Sequence, residues 1–239
     1  ERIIKALDSE YANEFWDFFD SEEYPDFFDK LIPTLNDYIA KGSVDAANVL
    51  MKAFQAGKEG YFADVTHFTV PECVTDIPTD TFGGCKNLIA VALPDGLKRI
   101  GPFAFECTGL SSITIPASVN KIGKSAFEGC ESLTDVVLPD GLKEIEDNVF
   151  ACCTGLSSIT IPKGVIKIGQ RAFMDLLNLS RVILPIGVKT IHADAFEGCD
   201  SLQEILVPAH KTDYYKKRLP SELWDKIVDR YPEYNFHIN

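Results

Sequence analysis

The sequence lacks the features that identify most enzymes and membrane proteins. It has no run of about 18 apolar residues, so no segment is expected to span a membrane. It also lacks a glycine-rich nucleotide loop, a G-x-S-x-G turn and an H-E-x-x-H motif, and its four histidines are scattered. We therefore expect no enzyme, no cofactor and no metal ion. A catalytic site of unfamiliar type in the N-terminal segment is the remaining enzymatic alternative.

Basic residues are scarce relative to acidic ones. The chain has 23 Lys and Arg against 36 Asp and Glu, which gives a net charge of −13. Because nucleic-acid-binding proteins present a basic surface, we expect no nucleic-acid partner. Six cations are expected to form one line along the molecule: Lys98, Arg99, Lys121, Lys143, Lys167 and Lys189. We interpret this line as a solvated surface, with binding of an anionic polymer as the alternative.

Residues 63–208 repeat one pattern about every 23 residues. The copies that begin at Leu110, Leu133, Leu156 and Leu179 are the clearest, and the region holds six full copies and a partial seventh. A single unit of this length cannot bury its apolar residues, but a stack of units can. The period therefore predicts a solenoid, and it favours binding along a surface over catalysis.

Each copy contains a strand followed by a return to the core. In the copy at Leu110, Ile113 and Ile115 alternate as in a strand, and Pro116 ends that strand. A phenylalanine and a cysteine then complete the expected repeat core. These residues are Phe82, Phe105, Phe127, Phe150, Phe173, Phe196, Cys85, Cys130, Cys153 and Cys199.

The cysteine pattern favours structural thiols. The four core cysteines share one position, which Leu176 fills in another copy, so the position suits a small or medium apolar group. Cys107 nearly matches it, if the second copy is one residue short before this point. There is no C-x-x-C pair and no Cys/His cluster with zinc spacing. Disulfides between neighbouring copies and a metal site remain as alternatives.

The repeat L-x-x-I-x-L-P-x-x-L/V-x-x-I-G-x-x-A-F-x-x-C-x-x resembles the BspA-like leucine-rich repeats of bacterial surface proteins. The tail from Ile205 to Val228 resembles the segment that closes such arrays. The resemblance implies an α/β solenoid, a right-handed coil with a parallel β-sheet on its concave face. It also implies a helical C-terminal cap over residues 209–239 and a role in adhesion or protein recognition.

Residues 1–62 are predicted to be helical. Apolar residues from Ile3 to Phe18 recur at helical spacing, and a second helix is expected from Phe27 to Ile39, bent or restarted at Pro33. Ser43 is a candidate N-cap for a third helix that ends at Gly57. Because the end of a solenoid exposes apolar residues, we interpret this segment as a cap, with a small interaction domain as the alternative.

The outward residues of the strands form the candidate binding face. This set is small and weakly polar: Ser111, Ser112, Thr114, Thr134, Asp135, Val137, Ser157, Ser158, Thr160, Arg181 and Ile183. The main hypothesis is a surface or secreted module that binds a protein of unknown identity. The alternative is a scaffold that presents the N-terminal helices to a partner, inside the cell. We expect a monomer.

The sequence gives limited information about location. No signal peptide is visible, but the chain begins at Glu1 and not at Met, as expected of a processed or trimmed chain. Absence of a signal is therefore a poor argument for the cytoplasm. We expect an extracellular or cell-surface protein, with a cytoplasmic one as the alternative.

Overall fold

The computed structural model describes residues 25–57 and 62–231 as two helices followed by a stack of coils. The helix expected from Ile3 to Phe18 lies outside the described residues. The helices are α1 (Pro25–Ala40), α2 (Val44–Gly57) and the short α3 (Thr212–Lys216). The strands are β1 (His67–Thr69), β2 (Asp76–Ile77), β3 (Ala90–Ala92), β4 (Arg99–Ile100), β5 (Ser112–Thr114), β6 (Lys121–Ile122), β7 (Asp135–Val137), β8 (Glu144–Ile145), β9 (Ser158–Thr160), β10 (Lys167–Ile168), β11 (Arg181–Ile183), β12 (Thr190–Ile191), β13 (Glu204–Pro208) and β14 (Ile227–Tyr231).

The odd-numbered strands line one side of a solenoid of about seven turns, as predicted. They pair in parallel and in register in three groups, β1 with β3, β5 with β7, and β9 with β11 and β13, so that Ser112 lies opposite Asp135 and Arg181 lies opposite Ser158. The middle residue of each strand points into the core, and the flanking residues point outward. We call this row of strands the first sheet.

A second parallel row of strands, which the sequence analysis did not predict, lines another side of each coil. Its members, β2 to β12 in even numbers, are two residues long and pair in groups of three. The buried residue of each, such as Ile122 or Ile168, packs into the core while its neighbour Lys121 or Lys167 faces solvent. We call this row the second sheet.

The phenylalanines form a continuous stack through the core. The six rings from Phe82 to Phe196 are buried, with neighbouring centroids 5.1 to 5.8 Å apart and ring planes within 8° of parallel. Aromatic contacts of this kind add to the free energy gained from burial. The stack therefore ties each coil to the next.

Each coil has a left-handed residue after its stacked ring, and some coils also need a glycine for close packing. Two residues after each stacked ring, the chain adopts a left-handed conformation at Gly84, Cys107, Gly129, Cys152, Asp175 and Gly198. In contrast, Gly123 is needed for close packing, because a Cβ there would lie 2.5 Å from the backbone nitrogen of Pro102. Gly123 does not have a positive φ, so close packing and not a left-handed backbone is the reason for this glycine.

The N-terminal helices cover the first coil. Helix α2 begins after Ser43, whose hydroxyl accepts a hydrogen bond from the Ala46 amide at 3.2 Å, and it ends at the predicted Gly57. Helix α1 continues through Pro33 without restarting. The buried ring of Phe54 meets Phe82 edge-on at 4.8 Å and so extends the aromatic stack into the cap.

The C-terminal cap is less helical than predicted. It combines the five-residue α3 with a 3₁₀ turn at Ser221–Lys226, and β14 then extends the first sheet beside β13. Tyr215 of α3 is fully buried, and its hydroxyl donates a hydrogen bond to the carbonyl oxygen of Pro185. The strand arises because Ile227 and Val228 pack beside Ile205 and Leu206. No copy of the repeat covers this segment, so periodicity could not reveal it.

Candidate functional site

The structure brings the candidate binding face together on the outer side of the first sheet. Of its eleven residues, ten are exposed and Ile183 is half-buried. Three rows can be distinguished, which run across the strands from coil to coil. The entry row holds Ser111, Thr134 and Ser157, the first strand row holds Ser112, Asp135, Ser158 and Arg181, and the second strand row holds Thr114, Val137, Thr160 and Ile183.

Hydrogen bonds along the entry row stabilise the solenoid by joining one coil to the next. The Thr134 hydroxyl donates to the carbonyl oxygen of Ser111 at 3.1 Å, and the Ser180 hydroxyl donates to that of Ser157 at 3.0 Å. These bonds join neighbouring coils along the edge of the face. The two strand rows are consequently the part of the face that is free to contact a partner.

The two strand rows carry one basic side chain, Arg181, and one acidic side chain, Asp135. The Nε of Arg181 donates to a carboxylate oxygen of Glu204 in the next coil at 3.0 Å. The carboxylate of Asp135 has no hydrogen bond or ion pair within residues 25–57 and 62–231. Two residues along the same strand, the side chain of Val137 is 50% exposed. The centre of the face therefore carries one free carboxylate beside one exposed apolar group.

The cations expected to form one line do not form a continuous basic row. Arg99, Lys121 and Lys167 lie on the second sheet, whereas Lys98, Lys143 and Lys189 precede it by one residue. Arg99 pairs with Asp76, and Lys167 pairs with Glu144, whose hydrogen bond raises the pKa of the lysine. Lys121 lies 3.3 Å from Glu146. The six cations thus lie exposed along the side of the second sheet, and carboxylates pair with three of them, in keeping with a solvated surface.

The cysteines fall into a buried group and an outer group. All seven are free thiols, and Cys85, Cys130, Cys153 and Cys199 are buried. Cys107 is exposed, and Thr108 occupies the core position that was nearly assigned to it. The missing residue of the second copy falls after Thr108, in the turn before Leu110, so the three-residue distance from Phe105 is kept.

Chemical sites are sparse in the described part of the chain. No group of three or more His, Cys, Asp or Glu side chains among these residues is arranged to hold a metal ion. An open cleft of about 520 Å³ lies between the last coil and the C-terminal cap, with Asp194, Glu197 and Lys226 among its lining residues. No described helix is long and apolar enough to cross a membrane.

The repeat region matches the family model for the BspA-type leucine-rich-repeat region, with six copies over residues 60–175 and 144–219. A solved leucine-rich-repeat protein from Eubacterium ventriosum is 26% identical, with a TM-score of 0.57, over 71% of this chain and 45% of its own. The leucine-rich-repeat protein of T. pallidum is 30% identical, with a TM-score of 0.43, over 59% and 58%. A leucine-rich cell surface protein from Faecalibacterium prausnitzii is 21% identical, with a TM-score of 0.32, over 72% and 64%.

The chain thus spans less than two thirds of the length of each of these solved proteins. No match was found among curated protein sequences.

Proposed function

The chain belongs to the BspA-type leucine-rich-repeat family, and from this premise we propose that it is a non-enzymatic protein-recognition module of a bacterial surface or secreted protein. In this proposal the candidate binding face contacts the partner, and the binding serves adhesion. The similarity to the Eubacterium ventriosum protein supports the fold on which the proposal rests.

One observation carries the proposal. The two strand rows form an exposed surface of mostly short side chains across the coils of β5 to β11, with β5 paired to β7 and β9 paired to β11. Short side chains let a partner approach the sheet closely over a large area, and solenoids bind through such extended surfaces. Two of the hydroxyl-bearing residues, Ser112 and Ser158, have no hydrogen bond from their side chains within the described residues.

A scaffold role is the second candidate, and a specific contact favours it. The ring of Phe54 packs against Phe82, so the helical segment is held firmly on the array. In that case the partner would contact the helices and not the strands. Asn36 in α1 and Val44 in α2 are exposed and mark this alternative surface. A cytoplasmic location is compatible with this alternative.

Photo-crosslinking tests which surface of the chain contacts a partner protein. A benzoylphenylalanine in place of Thr114 on the candidate binding face should capture a protein from bacterial or host cell surfaces. The same group in place of Asn120, which is exposed before the second sheet, is the matched control. Capture only from a third position, Asn36, would support the scaffold alternative instead.

Paired lysine substitutions then measure the binding of the captured protein. Ser112→Lys with Ser158→Lys should abolish it, because two long charged side chains would lie between partner and sheet. Asn120→Lys with Ile166→Lys places the same charges in the same two coils, one residue before the second sheet, and should leave binding unchanged. If instead only Asn36→Lys with Val44→Lys abolishes binding, the strands are not the contact surface.

A further inference from the structure

The geometry points to Asp135 and Val137 as a two-part anchor on the candidate binding face, for a protein segment that presents Lys or Arg beside an apolar side chain. This inference rests on the proposed function and names the chemistry of the partner. It concerns the centre of the face, where the short side chains of the strand rows surround one carboxylate and one exposed apolar group.

Among the described residues, Asp135 is a carboxylate on the candidate binding face without a cation partner. Several other carboxylates of the array pair with a cation one coil away, as in Asp140 with Lys163 at 2.8 Å and Glu204 with Arg181 at 3.0 Å. Asp135 instead lies opposite Ser112, and Ser158 takes the equivalent position in the next coil. Within the described residues no side chain neutralises this carboxylate. A cation from outside can reach it over the two serines.

Val137 supplies the second half of the anchor. It lies on the same strand and the same face, two residues from Asp135, so their Cβ atoms are about 7 Å apart. Thr114 lies opposite Val137 across the strands, and the isopropyl group of Val137 is 50% exposed. A partner side chain of Val, Ile or Leu could cover it while a neighbouring Lys or Arg meets the carboxylate.

The charge of the face supports a cationic partner over an acidic one. Arg181, the cation of the two strand rows between β5 and β11, is already bound to Glu204. An acidic segment would therefore meet the free carboxylate with no free cation beside it, and like charges in contact oppose binding. A basic segment gains a charge-assisted hydrogen bond in the same place.

A phage-displayed library of random 12-residue peptides tests the anchor on the full chain. Peptides are selected on the wild-type protein after depletion on the Ser112→Lys/Ser158→Lys variant, which covers Asp135 from both sides. We expect the selected peptides to be enriched in Lys or Arg two residues from Val, Ile or Leu. Their affinity should fall about tenfold or more for Asp135→Asn and several-fold for Val137→Ser.

Two control variants separate the anchor from general effects. Asp95→Asn removes an exposed carboxylate at a turn, Ile166→Ser removes an exposed apolar group just before the second sheet, and neither should change affinity. Selected peptides that bind Asp135→Asn as tightly as wild type would overturn the anchor but leave the candidate binding face standing. If depletion removes every binder, because the peptides bind the double-lysine variant as tightly as wild type, the anchor and the proposed function both fail.

Discussion

The thiol of Cys153 donates a hydrogen bond to the carbonyl oxygen of Phe127 in the preceding coil, at 3.0 Å. Cys130 bonds Phe105 in the same way, at the same distance. The core position therefore favours a side chain that is small, apolar and able to donate. This explains why cysteine recurs there although most of the contact surface is apolar.

Replacing the buried thiol should destabilise the fold. Cys153→Ala removes a hydrogen bond and leaves a small void, so we expect the free energy of unfolding to fall by about 1–3 kcal/mol. Cys152→Ala changes the half-buried neighbour of Cys153, and we expect its free energy of unfolding to stay within about 0.5 kcal/mol of wild type. Denaturation in urea measures both, and equal losses would contradict a specific role for the Cys153 thiol.

Stability should also depend on the Cys199 thiol at alkaline pH. Burial raises the pKa of Cys199 from 9.0 to about 11. Because the folded pKa lies above the unfolded one, the contribution is complete below pH 9 and is lost as pH rises toward 11. Relative to Cys199→Ala, the wild-type protein should lose about 2 kcal/mol of stability over this range. Urea denaturation at a series of pH values checks this, and parallel curves for the two proteins would contradict it.

The seven thiols should react in two groups. Cys107 is exposed, and Cys73 and Cys152 are half-buried, so a small thiol reagent should reach up to three groups in the native protein. Burial also raises the pKa of Cys153 well above its usual value, which slows its reaction further. Denatured, unreduced protein should give all seven. A count of three or fewer after denaturation would establish disulfides and favour an oxidising location.

The sequence predicts the coils and the outward face because both depend on a period. The proline after each long strand and the spacing of the phenylalanines place Ile113 and Phe127 without reference to distant residues. The ion pairs were also accessible, since Asp76 and Arg99, or Glu144 and Lys167, are one repeat apart and so come to lie side by side. Alignment of charges at the repeat period would have revealed them.

Other features depend on details that the period does not contain. The position of the missing residue in the second copy is settled by Thr108, whose hydroxyl donates to the Phe105 carbonyl at 3.0 Å. A pattern alone allowed the gap on either side. The strands of the second sheet are too short to show alternation, and β14 has no equivalent in the repeats. Whether the carboxylate of Asp135 has an ion-pair partner likewise depends on which side chains lie near it in the folded chain.

The stack of rings should dominate stability. Phe127 is fully buried between Phe105 and Phe150, so Phe127→Ala should cost about 3–5 kcal/mol. Lys121→Ala, on the outer side of the same coil, should change stability by about 0.5 kcal/mol or less, because its ion pair with Glu146 is exposed. Chemical denaturation compares the two variants, and comparable losses would mean that the inward and outward assignment is wrong.

The last prediction concerns how closely the coils are packed. A Cβ on Gly123 would lie 2.5 Å from the nitrogen of Pro102 and 2.8 Å from the carbonyl carbon of Gly101 in the preceding coil. Neither atom can move aside without separating the coils, so Gly123→Ala should lower the free energy of unfolding by about 2 kcal/mol or more. Gly141 belongs to the turn between the sheets, where the nearest atoms to an added Cβ are 3.6 Å away. Gly141→Ala should therefore be neutral or slightly stabilising, since it restricts the unfolded chain. Urea denaturation of the two variants decides the matter, because a neutral Gly123→Ala would show that the coils can separate at this point without loss of stability.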